Sequence, residues 1–394
     1  MATESSRVES DTHSNDWTAF REQMPVAQNW SYFDHAAVAP IPKVAFEQIN
    51  KWAIEAVEEG DAVWPSWNRL HENCRKSAAN LINSEVSEIA LVPNTTFGIN
   101  LVADGLDWNE GDNVVLPENE FPSNLYPWMS LQARGVEVRQ VPLDGHKVCV
   151  NRLADAIDAR TRVVSVSWVG YASGYRVDAK EVSEMVHEKG SLFFLDAIQG
   201  LGVFPLDVKD ANIDFLAADG HKWLLGPEGA GIFYLKYEHL DRLRPMNIGW
   251  NSVAQGNDYT NVKLDVRKAA SRYEGGTQNM AGFIGLGASL DLLQQFGLSP
   301  TDTTLGRHVV EVTDRMVQAL SDAGVIVHSE RAPDISSGIV LFEVPGKEPA
   351  EIRKALLENK VITSCRGGHV RAAAHCYNND SDIDRMVETI KQVM

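Results

Sequence analysis

The chain has few cysteines, no surplus of basic residues and no long apolar run, and each shortage removes a class of function. Only four of its 394 residues are cysteine (Cys74, Cys149, Cys365 and Cys376), and none forms a C-x-x-C pair. That pattern suits reduced thiols in a cytoplasmic protein rather than a disulfide frame, and no metal site is expected. Lys and Arg total 36 against 54 Asp and Glu, a formal net charge of −18. Nucleic acid and anionic membrane both call for basic surface, so neither is expected as a partner. No stretch approaches the roughly 20 apolar residues that span a bilayer. Residues 1–16 are polar and acidic, without the apolar segment of a signal peptide, and read as a flexible tail. A G-x-G-x-x-G turn after an early strand is also missing, which removes a Rossmann-type dehydrogenase.

What is present is an alternation of short apolar runs with helical patterns. Ala45, Phe46, Ile49, Trp52, Ala53, Ala56 and Val57 recur at helical spacing. Seven segments then read as strands: 89–92, 113–116, 136–141, 163–169, 191–195, 215–217 and 231–235. Between two of them, Asp178 caps a helix with Ala179, Val182, Met185 and Val186 inward, and Gly190 ends it. That is a βαβ crossover, so the expected class is α/β with a mostly parallel seven-stranded sheet covered by helices. From about residue 290 the rhythm changes to a long helix ending at Gly324, strands near 325–327, 339–344, 361–363 and 370–374, and a closing helix. The expected division is a large domain, 17–285, and a small α+β domain, 286–394, with 17–35 packing on the small one.

Three segments carry chemistry. In Ala217-Ala218-Asp219-Gly220-His221-Lys222-Trp223 a strand delivers a lysine into a glycine-rich turn with an apolar flank. A lysine that forms a Schiff base needs a fixed position and partial desolvation, although most lysines are simply solvated surface charges. Asp196, after Phe193-Phe194-Leu195, stands at the carboxyl end of a buried strand, where open α/β sheets bind ligands. An ionised Asp there pairs with a protonated pyridine nitrogen, and a helix N-cap is an equal reading. Gln199 can donate to a ring oxygen. Asn94-Thr95-Thr96 follows a strand and opens a helix, which suits a phosphate or ordinary capping.

In order and placement these segments resemble fold-type I pyridoxal-5′-phosphate (PLP) enzymes of the class V aminotransferase family, a group with cysteine desulfurases, isopenicillin N epimerase and, more distantly, kynureninase. The resemblance runs from Tyr32-Phe33-Asp34-His35 to the C-terminus. It implies PLP on Lys222, Asp196 at the pyridine nitrogen, Gln199 at the ring oxygen, and Thr95, Thr96 and His221 near the phosphate. It also implies a homodimer in which Thr277 reaches the neighbour's phosphate, and Arg371, with Arg366 second, for the substrate carboxylate. Phe121 stands where desulfurases carry a stacked histidine. An aromatic ring still stacks there but transfers no proton. Only four residues separate Arg366 from Arg371, where desulfurases insert a loop with a nucleophilic cysteine. Asp219 takes the place of a phosphate-binding Ser or Thr, so it is expected to turn away or bind another group. Trp168 reads as lining the substrate side or as core packing. The expected function is a class V aminotransferase-like enzyme acting at the Cα of an amino acid. A C–S lyase or cysteine desulfurase-like activity and an epimerase-like activity are the alternatives, and a kynureninase-like hydrolase ranks below them.

Overall fold

Six of seven strands run in one direction, and that single fact gathers the chemistry-bearing residues at one edge. The computed structural model describes residues 16–394. The expected tail lies outside them except for Asp16, whose side chain accepts from the Thr18 and Ala19 amides and caps helix Trp17–Glu22. The large sheet has the order Ile89–Val92, Gly231–Leu235, Phe215–Asp219, Leu192–Asp196, Thr161–Ser167, Asn113–Pro117, Glu137–Val141. Only Gly231–Leu235 is antiparallel to its neighbours. The α/β class and the seven strands match the expectation.

The central strands are buried on both faces, which is why they read as unbroken apolar runs rather than alternating ones. Side chains nevertheless alternate between two cores. Leu216 and Ala218 face one cluster with Leu195 and Ile232, while Phe215 and Ala217 face the other with Phe194 and Phe233. The crossover helix forms as expected at Ala179–Glu188, with the Asp178 carboxylate accepting from the Lys180 and Glu181 amides. Helix Met280–Gln295 is buried along most of its length in the large domain, and Ser289 Oγ donates to the Leu225 carbonyl at 2.8 Å. Residue 286, the expected start of the small domain, falls within this helix.

The small domain has its own core, built around Val312, Met316, Phe342, Leu356 and Ile390. Its four-stranded antiparallel sheet has the order Ser364–Arg366, His369–Ala373, Ile339–Glu343, Ile326–Val327. Strand Ser364–Arg366 has no counterpart in the sequence reading, being three residues of mixed polarity. Strand Ser31–Tyr32 pairs with Val361–Ile362, Phe33 enters the small core, and Arg21 meets Asp382 at 2.7 Å. The early segment therefore ties down the small domain. No helix among the described residues is long and apolar enough to cross a membrane.

The lysine-bearing turn is held by backbone contact. Gly202 has φ +105°, and a Cβ there would lie 2.3 Å from the Trp223 carbonyl oxygen. Only glycine lets the chain after Gln199 pack this close to the residue following Lys222.

Candidate functional site

Because the strands run parallel, the segments leaving their carboxyl ends converge on one cavity of about 370 Å³. Lys222 follows strand Phe215–Asp219, Asp196 ends strand Leu192–Asp196, and Thr95 opens the helix after Ile89–Val92. The small domain supplies Arg366 and Arg371 from the other side. Of the residues singled out from sequence, Lys222, Asp196, Gln199, Thr95, Thr96, Phe121, His221, Arg366 and Arg371 all line this cavity. Thr277 and Trp168 do not.

Lys222 is 7% exposed. Burial pushes its ammonium down to about 8, and the Arg371 and Arg366 charges add to this while the Asp196 carboxylate opposes it. Its Nζ lies 5.4 Å from the centroid of the Phe121 ring. Asp196 is buried as well, and desolvation raises its carboxyl to about 6, offset in part by the Ile198 amide and by Lys222. The Ile198 amide donates to Oδ1 at 3.1 Å. The capping role and the cavity-facing role thus coexist on one side chain.

Gln199 is fixed by both ends of its amide: Oε1 accepts from Trp223 Nε1 at 2.7 Å, and Nε2 donates to the Ala36 carbonyl at 3.0 Å. One Nε2 hydrogen remains for a ligand. Helix Thr95–Gly105 is capped by Asn94, whose side chain accepts from the Phe97 amide. Capping therefore does not occupy the threonines. Thr95 Oγ1 accepts from the Asp219 amide at 2.9 Å, which leaves its own proton to donate, and Thr96 Oγ1 donates to Ser123 Oγ at 2.8 Å. Asp219 stays at the cavity wall rather than turning away. Its Oδ2 stands 3.0 Å from His221 Nδ1, at contact distance but without the alignment of a hydrogen bond.

Arg371 is almost fully buried. Its Nε donates to Ser364 Oγ at 3.2 Å, Nη1 to the Tyr171 carbonyl at 2.6 Å and Nη2 to Asp34 Oδ1 at 3.2 Å. Arg366 donates to the carbonyl of its own neighbour Cys365 at 2.7 Å. Arg366 is thus the freer guanidinium, and Arg371 the one held rigidly.

Trp168 lies in the core, edge-on to Phe204 at 6.2 Å and against Gly200. Of its two readings, packing is the one realised. Tyr171, three residues on, takes the place at the cavity and packs edge-on against Phe121 at 5.3 Å. Thr277 lines a different cavity, of about 740 Å³, with Trp64, His71 and Trp250. Three contributors were missed: Ser123, Asp34 and Glu120. Glu120 accepts from the Ser167 amide at 2.8 Å and from its hydroxyl, and burial raises its carboxyl to about 7. Its place beside Phe121 in Glu118-Asn119-Glu120-Phe121 was the only sequence signal for it.

No thiol lines the cavity. Cys365 sits in strand Ser364–Arg366 between two residues that reach Arg371 and the cavity, so alternation turns it to the opposite face. Burial raises its thiol above the ordinary value. The hairpin from Arg366 to His369 is closed by Gly367 and Gly368 alone.

A sequence model of the family described as Aminotransferase class-V matches residues 31–386. The chain is similar to a probable cysteine desulfurase of Methanothermobacter thermautotrophicus, 31% identical over 95% of this chain and 97% of that one. A probable cysteine desulfurase of Pyrococcus abyssi is 28% identical over 95% and 96%. Among solved structures, the apo cysteine desulfurase of Thermococcus onnurineus NA1 superposes with a TM-score of 0.86 at 25% identity, covering 95% of this chain and 97% of that one.

The desolvated amine generates a direct expectation. In cofactor-free protein, acetylation of Lys222 by acetic anhydride, read by peptide mass spectrometry, is expected to rise with a midpoint near pH 8. In Asp196→Asn the midpoint moves lower, because the carboxylate stabilises the ammonium. A midpoint at the ordinary lysine value of about 10.4 would contradict the burial argument.

Proposed function

Since the chain belongs to the class-V aminotransferase family, we propose that it is a PLP-dependent enzyme that breaks a carbon–sulfur bond in a cysteine-type amino acid. The observation carrying the cofactor is the buried Lys222–Asp196 pair in a cavity that hydroxyl donors also line. Near pH 8 half of Lys222 is the neutral amine that an aldehyde requires. Asp196 is ionised above about pH 6 and matches a protonated pyridine nitrogen. Thr95, Thr96, Ser123 and His221 match a phosphate at the start of a helix. Two buried atoms in that region, Asp219 Oδ1 and His221 Nδ1, have no hydrogen-bond partner among the described residues, as expected where a polar ligand completes the site.

When bound, PLP withdraws electrons from the Cα of an amino acid. The residues do the rest. Lys222 Nζ takes the Cα proton as general base. Arg366 and Arg371 receive the carboxylate, and Asp34 keeps Arg371 in place. Phe121 and Tyr171 pack edge-on against each other and line one side. The relatives' names favour carbon–sulfur chemistry over plain transamination. With no thiol at the cavity, the electron pair of the broken Cβ–S bond stays with the sulfur, which leaves into solution. The enzyme is therefore read as a C–S lyase rather than a desulfurase that stores persulfide on itself. Four free thiols fit a cytoplasmic setting.

Thr277 supports a homodimer with shared sites, because in its own subunit it faces a second cavity away from Lys222.

Two outcomes test this reading. Holoenzyme given cysteine or cystine is expected to release sulfide or a small-molecule persulfide, and Cys365→Ser is expected to retain at least half the rate. Persulfide accumulating on Cys365, with activity lost in the variant, would overturn it. Light scattering is expected to give a dimer, and Thr277→Ala to weaken PLP retention about tenfold, a loss of about 1.4 kcal/mol. A fully active monomer would contradict the shared site.

A further inference from the structure

We propose that the small-domain sheet carries a divalent metal site, with His328, Glu343 and His369 as ligands and zinc as the best-matched ion. The three side chains come from three chain segments and meet only in the fold. Glu343 ends strand Ile339–Glu343, His369 begins strand His369–Ala373, and His328 follows strand Ile326–Val327. Register puts them on one face. Phe342 pairs with Val370, so Glu343 stands opposite His369 one step further on. His328 donates its amide to the Leu341 carbonyl at 2.8 Å, two residues from Glu343 and therefore on the same face.

The geometry is that of a ligand set with its centre open. His328 Nε2 lies 3.2 Å and His369 Nε2 3.8 Å from Glu343 Oε2. The two imidazole centroids are 4.2 Å apart. One atom from each of the three groups falls within 4.8 Å of the others. Tetrahedral zinc with bonds of about 2.0–2.1 Å needs neighbouring ligand atoms roughly 3.4 Å apart, so small rotations of the side chains suffice. Two imidazoles and one carboxylate are a donor set that zinc accepts, with a fourth position left to water.

A second observation points the same way. His369 Nδ1 lies 2.9 Å from the Gly367 carbonyl oxygen. A carbonyl only accepts, so Nδ1 carries a proton, and the neutral ring then presents its Nε2 lone pair toward Glu343 and His328. Backbone carbonyls orient metal-binding histidines in this way. The acid–histidine group around buried Asp214 is more fully engaged: Asp214 accepts from His187 Nε2 at 2.7 Å, His239 Nε2 at 2.6 Å and the Phe193 amide at 2.7 Å, whereas half-buried Glu343 meets His328 Nε2 at 3.2 Å and His369 Nε2 at 3.8 Å.

The site abuts the substrate side of the cavity. Arg366 pairs with His369 across the hairpin, and Gly367 and Gly368 between them both have positive φ, at +55° and +80°. Metal bound at His369 and Glu343 fixes the base of this hairpin, and with it the freer of the two arginines. The sequence reading expects no metal site, and ligands 15 and 26 residues apart share no local spacing that would signal one.

The test is titration of chelator-treated holoenzyme with zinc, followed calorimetrically and by metal analysis after gel filtration. One zinc per chain is expected, with affinity reduced at least tenfold in His328→Ala and in His369→Gln, and in Glu343→Gln. PLP content and circular dichroism serve to establish that each variant is folded. No retained zinc in the parent protein, or zinc bound equally well by all three folded variants, would overturn the site. The measurement does not depend on turnover, so it stands apart from the proposed reaction.

Discussion

The structure depends on an amine and a carboxylate held out of water at the carboxyl edge of a parallel sheet. Lys222 and Asp196 each stabilise the other's charge, but by less than burial destabilises it. Desolvation lowers the lysine and raises the aspartate, and each partly corrects the other. The outcome is a lysine that titrates near physiological pH and an aspartate that remains ionised there. Both properties require strands buried on two faces, which only helices on both sides provide. The two alternating cores above and below strand Phe215–Asp219 are therefore part of the chemistry as much as of the stability.

The small domain completes what the large one begins. Arg371 reaches the cavity from strand His369–Ala373, and its three anchors come from three places: Ser364 beside it, Tyr171 in the large domain and Asp34 in the early segment. A guanidinium so placed stays rigid at the cost of some availability, since Asp34 competes with any incoming carboxylate for it. Arg366 bears the complementary properties. It sits on a two-glycine hairpin, holds only a neighbouring carbonyl, and is close to the cluster of His328, Glu343 and His369. Rigidity and adjustability are divided between two arginines five residues apart.

Much of this was legible in the sequence, for reasons that can be named. Buried strands declare themselves by unbroken apolar runs, and Asp178 with Gly190 marked both ends of their helix. Once the strand order is parallel, the residues after each strand must converge, which is why Lys222, Asp196, Thr95 and Phe121 line one cavity. The failures share a cause too. Trp168 was ambiguous because aromatic residues serve cores and pockets alike, and its packing against Gly200 depends on a contact 32 residues away. Asp34 and Ser123 act through partners remote in sequence, so nothing local distinguishes them from surface polar residues. The metal ligands are the extreme case, since sheet register alone unites them.

The central claim, that the buried amine of Lys222 carries PLP, is tested most directly by reducing the holoenzyme with borohydride and mapping the adduct by peptide mass spectrometry. The account predicts one pyridoxyl group per chain, on Lys222, with loss of the cofactor's visible absorption band and of turnover. Attachment to any other lysine, or an unmodified Lys222 in inactivated enzyme, would contradict it.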